Sequence, residues 1–225
     1  MLYGLNMEGI DVMSQLETNR DFKSDWQVHP LLKSMLSNIV IRRPVKIEVF
    51  IPDNESYYET LIADFDYLQR RFREKIIVEL ARGNRRVPST IIHGLYNGRV
   101  LFMGFIAGGL YKLLAKAINY AGGEDPKVPA EAIRVLRFLK KPAHLMMLMS
   151  PFCPFCIGLG ELLLRITSTT DMIALEIVNV YDWKEMEDIT EKVGVPVTVV
   201  NRRAAIIGAP QNIITLSKII VAYSQ

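Results

Sequence analysis

Cys153 and Cys156 are the only two cysteines in 225 residues, and they lie three positions apart in Ser150-Pro151-Phe152-Cys153-Pro154-Phe155-Cys156. A lone Cys-x-x-Cys reads either as a redox dithiol or as half of a metal site. A closed structural zinc site takes four nitrogen or sulfur ligands, and His29, His93 and His144 show no ligand-like spacing. A metal shared across a dimer stays open at this point, as does plain burial of both thiols in a core.

The flanking residues favour the dithiol. The run Leu145-Met146-Met147-Leu148-Met149 reads as a buried strand, better explained by core packing than by copper binding, because a strand covered on both faces is continuously apolar. Residues 153–167 read as a helix beginning at the motif. Pro154 falls in its first turn, where a missing amide hydrogen leaves nothing unsatisfied. A sulfur at that junction meets free amide groups and the positive end of the helix dipole, so Cys153 is expected to be a thiolate at neutral pH. It would attack a substrate disulfide, and Cys156, one turn along and more buried, would resolve the mixed disulfide. Phe152, Pro154 and Phe155 flank the nucleophile and are expected to touch substrate. Val195 and Pro196 join them: a cis Val195–Pro196 bond would hold Val195 extended, its backbone free to pair with a substrate strand. An ordinary trans turn proline is the alternative.

Composition narrows the class. Half the residues are apolar and 23% are charged, which is globular rather than disordered. The net charge of +3 is too slight to point to nucleic acid or an anionic membrane. The pairs Arg42-Arg43, Arg70-Arg71, Arg85-Arg86 and Arg202-Arg203 are dispersed and read as solvated faces. Residues 1–20 mix Glu8, Asp11 and Glu17 among apolar residues, unlike a signal peptide, so a cytoplasmic protein is expected. The longest apolar run, 100–111, contains three glycines and falls short of the ~20 residues a membrane span needs.

The periodicity divides the chain into two similar halves. Strands are expected at 46–51, 75–80, 90–95 and 100–103, with helices at 57–72 and 110–120 and a turn at Asn97-Gly98. Gly122-Gly123-Glu124-Asp125-Pro126 interrupts both periods and marks a boundary. Beyond it, helices are expected at 129–140, 153–167, 183–193 and 211–223, with strands at 145–149, 172–180, 197–200 and 205–207. Val87-Pro88-Ser89-Thr90 and Val195-Pro196-Val197-Thr198 hold the same place before the third strand of each half, and glycine-bearing segments at 104–108 and 208–210 follow each hairpin. The expected organisation is a unit over 1–122, with a helical extension at its start, and a second unit over 123–225 carrying the dithiol.

The motif at a helix start, followed by Gly194-Val195-Pro196-Val197-Thr198 and Gly208, resembles a thioredoxin or glutaredoxin fold. Its doubling is similar to the archaeal protein disulfide oxidoreductases. The resemblance implies an α/β fold of two tandem thioredoxin-like units, each a mixed central sheet flanked by helices, and it implies cis prolines facing the dithiol at Pro196 and, structurally, at Pro88. It also implies an enzyme that reduces, forms or rearranges disulfides in other proteins, with no bound cofactor beyond the redox-active Cys153–Cys156 pair and with a thioredoxin-reductase-like flavoprotein as external donor.

Two departures stand out. Ser56-Tyr57-Tyr58-Glu59 occupies the place of a first-unit Cys-x-x-Cys, so that unit is left a structural or substrate-binding role, in which Tyr57, Tyr58 and Tyr67 could line a peptide surface. Met147 stands where thioredoxin carries a buried acid. A degenerate first unit before an active one is also the pattern of the N-terminal domain of the bacterial alkyl hydroperoxide reductase flavoprotein, which implies a peroxiredoxin partner. A redox-inert protein-binding scaffold and a glutathione-linked or iron–sulfur glutaredoxin are the remaining alternatives.

Overall fold

The computed structural model describes residues 29–35, 38–53, 59–83, 86–94, 97–210 and 212–224. Strand β1 (Val45–Pro52) buries Val45, Ile47, Val49 and Ile51 at period two. Helix α2 (Glu59–Phe72) follows it, with Leu61, Phe65 and Leu68 on its buried stripe. The chain then returns as β2 (Ile76–Gly83), parallel to β1. An antiparallel hairpin of β3 (Ser89–His93) and β4 (Arg99–Met103) lies on the other side of β1, and α3 (Leu110–Ala121) closes the half.

The second half uses the same plan. After α4 (Ala130–Leu136), β5 (Ala143–Met149) pairs in parallel with β6 (Ile173–Asn179) across helix α5 (Pro154–Thr167). The hairpin of β7 (Val197–Val200) and β8 (Ala204–Ile207) lies against β5, and α7 (Ile213–Tyr223) ends the chain. The strand orders β2-β1-β3-β4 and β6-β5-β7-β8 are equivalent. The fold is therefore α/β, two tandem thioredoxin-like units, as the sequence suggests. The repetition is imperfect, because α6 (Lys184–Val193) joins β6 to β7 while only the short segment 84–88 joins β2 to β3.

The two four-stranded sheets are fused into one. β4 and β6 pair in parallel, setting Val100 opposite Leu175 and Phe102 opposite Ile177. Each would otherwise be an edge with a row of unpaired backbone groups. At the start of this seam Gly98 donates its N–H to Thr167 O at 3.0 Å, and a Cβ there would lie 2.3 Å from Ile173 O. Only glycine allows that approach.

One expectation about helices is revised. Helix α4 stops at Leu136 instead of running to 140: the Phe138 and Leu139 amides donate to Val135 O and Leu136 O, a 3-10 tightening that tucks Leu139 into the core. Of the N-terminal extension, only α1 (Pro30–Met35) lies within the described residues.

Because the obstacle at Gly98 is backbone, Gly98→Ala is expected to cost about 1–3 kcal/mol by forcing the seam apart. Urea denaturation should show a lower midpoint with an unchanged slope.

Candidate active site

Helix α5 begins at the motif because Cys153 caps it. Cys153 has extended backbone (φ −89°, ψ 112°), its Sγ accepts a hydrogen bond from the Cys156 N–H at 3.2 Å, and Pro154 takes the first helical position. Cys153 is half-buried, whereas Cys156 is 0% exposed. Burial pushes the Cys156 thiol well above its usual range, and the adjacent Cys153 sulfur acts in the same direction. The site thus pairs an accessible sulfur with a sequestered thiol one turn away.

The opposite wall comes from the loop after α6. Gly194 has φ +79° with no atom within 4 Å of where a side chain would begin, so conformation rather than space demands glycine. The Val195–Pro196 bond is cis, and Val195 O lies 3.9 Å from Cys153 Sγ. Val195 is half-buried; Pro196 is buried and shapes the loop rather than presenting a face.

The resemblance also carried the cis geometry to Pro88, and there the structure differs: Val87–Pro88 is trans. Arg86 occupies the place of Gly194 and has no left-handed backbone, so the chain enters this proline by a different path. What both units keep is the next hydrogen bond. Gly104 N–H donates to Pro88 O at 2.8 Å and Gly208 N–H to Pro196 O at 2.9 Å, with both glycines at positive φ.

Around Cys153 the surface is apolar and open. Phe152 is 78% and Phe155 66% exposed, and Pro154 is also exposed. Sequence reasoning missed a neighbour, Tyr181. Its ring lies 6.4 Å from that of Phe152, and its hydroxyl accepts from Ser150 Oγ at 3.3 Å. The available signal was its place just past β6, at the same sheet end as the motif.

The cysteine-free half also reaches this site, which its sequence did not announce. Gly109 N–H donates to Pro151 O at 2.7 Å. A Cβ on Gly108 would lie 2.6 Å from that oxygen, and one on Gly109 would lie 2.5 Å from Ile157 Cδ1. Asp182 anchors the same segment by accepting from the Phe105 N–H at 2.5 Å and from Asn179 Nδ2 at 2.9 Å. Burial nevertheless holds its carboxyl above the ordinary carboxylate range.

The remaining residues singled out by sequence are placed apart from the dithiol. Met147 is buried in β5. His93 pairs with Glu48, His144 with Glu176, and His29 stacks on Tyr111. Among the described residues no group of three His, Cys, Asp or Glu side chains could hold a metal, and no helix is long and apolar enough to cross a membrane. Arg70 is paired with Asp66 and Arg86 with Glu185, while Tyr67 lies under Lys33 and Arg70. Ser56, Tyr57, Tyr58 and Arg85 lie outside the described residues.

The doubled βαβ–ββα sheet is a tandem thioredoxin-like fold, here with a Cys-x-x-Cys at a helix start facing a cis prolyl bond. Solved structures share that fold. The alkylhydroperoxide reductase AhpF of Enterococcus faecalis superposes with a TM-score of 0.67 at 18% identity, covering 84% of this chain and 95% of that one. A protein disulfide oxidoreductase from Aeropyrum pernix gives 0.66 at 19% identity, over 92% and 95% of the two chains. Sso1120 from Sulfolobus solfataricus gives 0.57 at 15%, over 83% and 100%. No protein-family model and no curated protein matches the sequence.

The unequal burial of the two sulfurs has a direct readout. Brief alkylation of the reduced native protein is expected to add one label, at Cys153, and alkylation in denaturant two, as counted by intact mass. Equal native labelling of both would contradict the geometry.

Proposed function

We propose that this protein is a thiol–disulfide oxidoreductase acting on protein disulfides through Cys153 and Cys156. The observation that carries the reading is the half-exposed Cys153 sulfur, capping α5 and 3.9 Å from Val195 O, with Cys156 buried one turn behind it. The solved neighbours bearing disulfide-oxidoreductase and alkylhydroperoxide-reductase names support it.

In the reducing direction the Cys153 thiolate attacks a substrate disulfide. A bond forms between Cys153 Sγ and one substrate sulfur, and the other substrate sulfur leaves with the bonding electrons and takes up a proton. Cys156 then attacks Cys153 Sγ, releasing the second substrate thiol and leaving the Cys153–Cys156 disulfide. Phe152, Pro154 and Phe155 offer apolar contact to the residues flanking the substrate cystine, and the extended backbone at Val195 offers strand-like pairing. No cofactor is needed within the chain, and a thioredoxin-reductase-like flavoprotein returns two electrons from outside. The unit spanning 123–225 carries the chemistry, and the unit spanning 1–122 supports it. A cytoplasmic setting suits a thiol pair kept reduced.

A second reading, favoured by the likeness to the alkylhydroperoxide reductase, is transfer of electrons to a peroxiredoxin. The two differ in the acceptor and share the dithiol chemistry.

Cys153→Ser is expected to abolish reduction of insulin disulfides, while Cys156→Ser traps a mixed disulfide with substrate; equal, mild losses from both would reject these roles. Because burial raises the Cys156 thiol, its deprotonation should limit the resolving step near neutrality. Release from a preformed mixed disulfide is therefore expected to accelerate as pH rises from about 7 towards 9, without a plateau, in stopped-flow traces.

A further inference from the structure

To resolve a mixed disulfide, Cys156 must shed its proton inside an apolar core, and the sulfur anion that forms there needs a polar group on the same face of the sheet. The backbone of Ser150 and of Cys156 itself already favours that anion, but strand β5 adds no polar side chain on that face: Ala143, Leu145, Met147 and Met149 are its residues in the cluster that holds Cys156. Strand β7 supplies one. Val197 packs with Leu148 on the opposite face, so alternation turns Thr198 towards the face of Cys156, where Val200 also lies. Thr198 sits directly across from Met147 in the ladder. It is 0% exposed, and its Oγ1 is the one buried side-chain nitrogen or oxygen among the described residues without a hydrogen-bond partner.

Other buried hydroxyls nearby are taken. Ser217 Oγ donates to Ile213 O and Thr167 Oγ1 to Leu163 O. Charged groups on the surrounding elements are directed elsewhere: Arg165 binds the Pro126 and Lys127 carbonyls, and His144 pairs with Glu176. Lys218 pairs with Glu131 and Lys116 with Glu124, Glu161 acts on Tyr120, and Asp182 holds the Phe105 amide. Cys153 is the titratable neighbour that acts on Cys156. Buried polar groups are paired in nearly every folded protein, so an unpartnered hydroxyl on the face of a buried thiol demands a reason.

We propose that Thr198 is a positioning residue for the resolving cysteine: its freely rotating hydroxyl donates a hydrogen bond that stabilises the Cys156 thiolate as it forms. The proposal rests on the roles given above to Cys153 and Cys156. In that step a lone pair on Cys156 Sγ forms the bond to Cys153 Sγ, and the Cys153–substrate bond breaks with its electrons on the departing sulfur. The proton released by Cys156 ends on that sulfur, and Thr198 is returned unchanged.

The test uses the full chain with Thr198→Val, which removes the hydroxyl, and Thr198→Ser, which keeps it. In a Cys153→Ser background the ultraviolet absorbance of the Cys156 thiolate is titrated with pH. In the otherwise intact protein, resolution of a mixed disulfide made with a chromogenic aromatic disulfide is timed. Thr198→Val is expected to move the titration up by about one pH unit and to slow resolution roughly tenfold, with an unchanged or higher melting temperature, while Thr198→Ser stays close to the parent in both. Identical midpoints and rates in Thr198→Val and parent overturn the proposal, as does a Thr198→Ser protein equally impaired. A parent that forms no mixed disulfide at Cys153 refutes the functional reading instead, and the thiolate titration still decides whether Thr198 acts on Cys156.

Discussion

A single hydrogen bond organises the site: the Cys156 amide to the Cys153 sulfur at 3.2 Å. It exists because a helix must begin immediately after a buried strand, and the first amides of any helix lack partners within it. Using a sulfur as the cap has three consequences at once. It holds Cys153 at the first turn of the helix, half-buried and within reach of solvent. It sets Cys156 one turn inward, where burial keeps its proton on. It also points the capping sulfur across the loop at Val195 O. Replacing the cap by a non-bonding side chain would leave the amide unmet and remove the accessible thiol in the same stroke.

The strand-to-helix turn is held from outside its own unit. Pro151 O receives the Gly109 amide, and Gly108 and Gly109 lie so close to Pro151 and Ile157 that a methyl group on either would collide. Asp182, just past the strand β6 that forms the seam, grips the Phe105 amide of the same segment. The half without cysteines is thus joined to the half that carries both along a strand pair and again at the motif loop. Its lack of a dithiol does not make it dispensable, because the position of the Cys153 turn is a property of both halves together.

The elements were largely legible in the sequence because each has a local cause: period-two burial in β1, the apolar stripe of α2, the unbroken apolar run of β5, proline at the start of α5. The unequal placement of the two sulfurs was legible for the same reason, since strand, turn and helix are contiguous over residues 143–167. The end of α4 was misjudged because tertiary packing of Leu139 outweighed the helical pattern of 137–140. The cis geometry carried to Pro88 failed where the two loops differ: they share a proline and a later glycine, but Arg86 stands in the place of Gly194 and lacks its positive φ.

What the sequence determined by itself is the pair of thiols and their local scaffold: one sulfur at a helix end and one a turn inside, within a duplicated α/β chain. What only the tertiary structure decided is which distant groups meet there. The fusion of β4 with β6, the approach of Gly109 to Pro151, Tyr181 beside Phe152, and Thr198 on the face of Cys156 depend on sheet register and on alternation across strands far apart in the chain. Register is set by the summed packing of both faces, and a one-residue slip would turn Thr198 away from the thiol altogether.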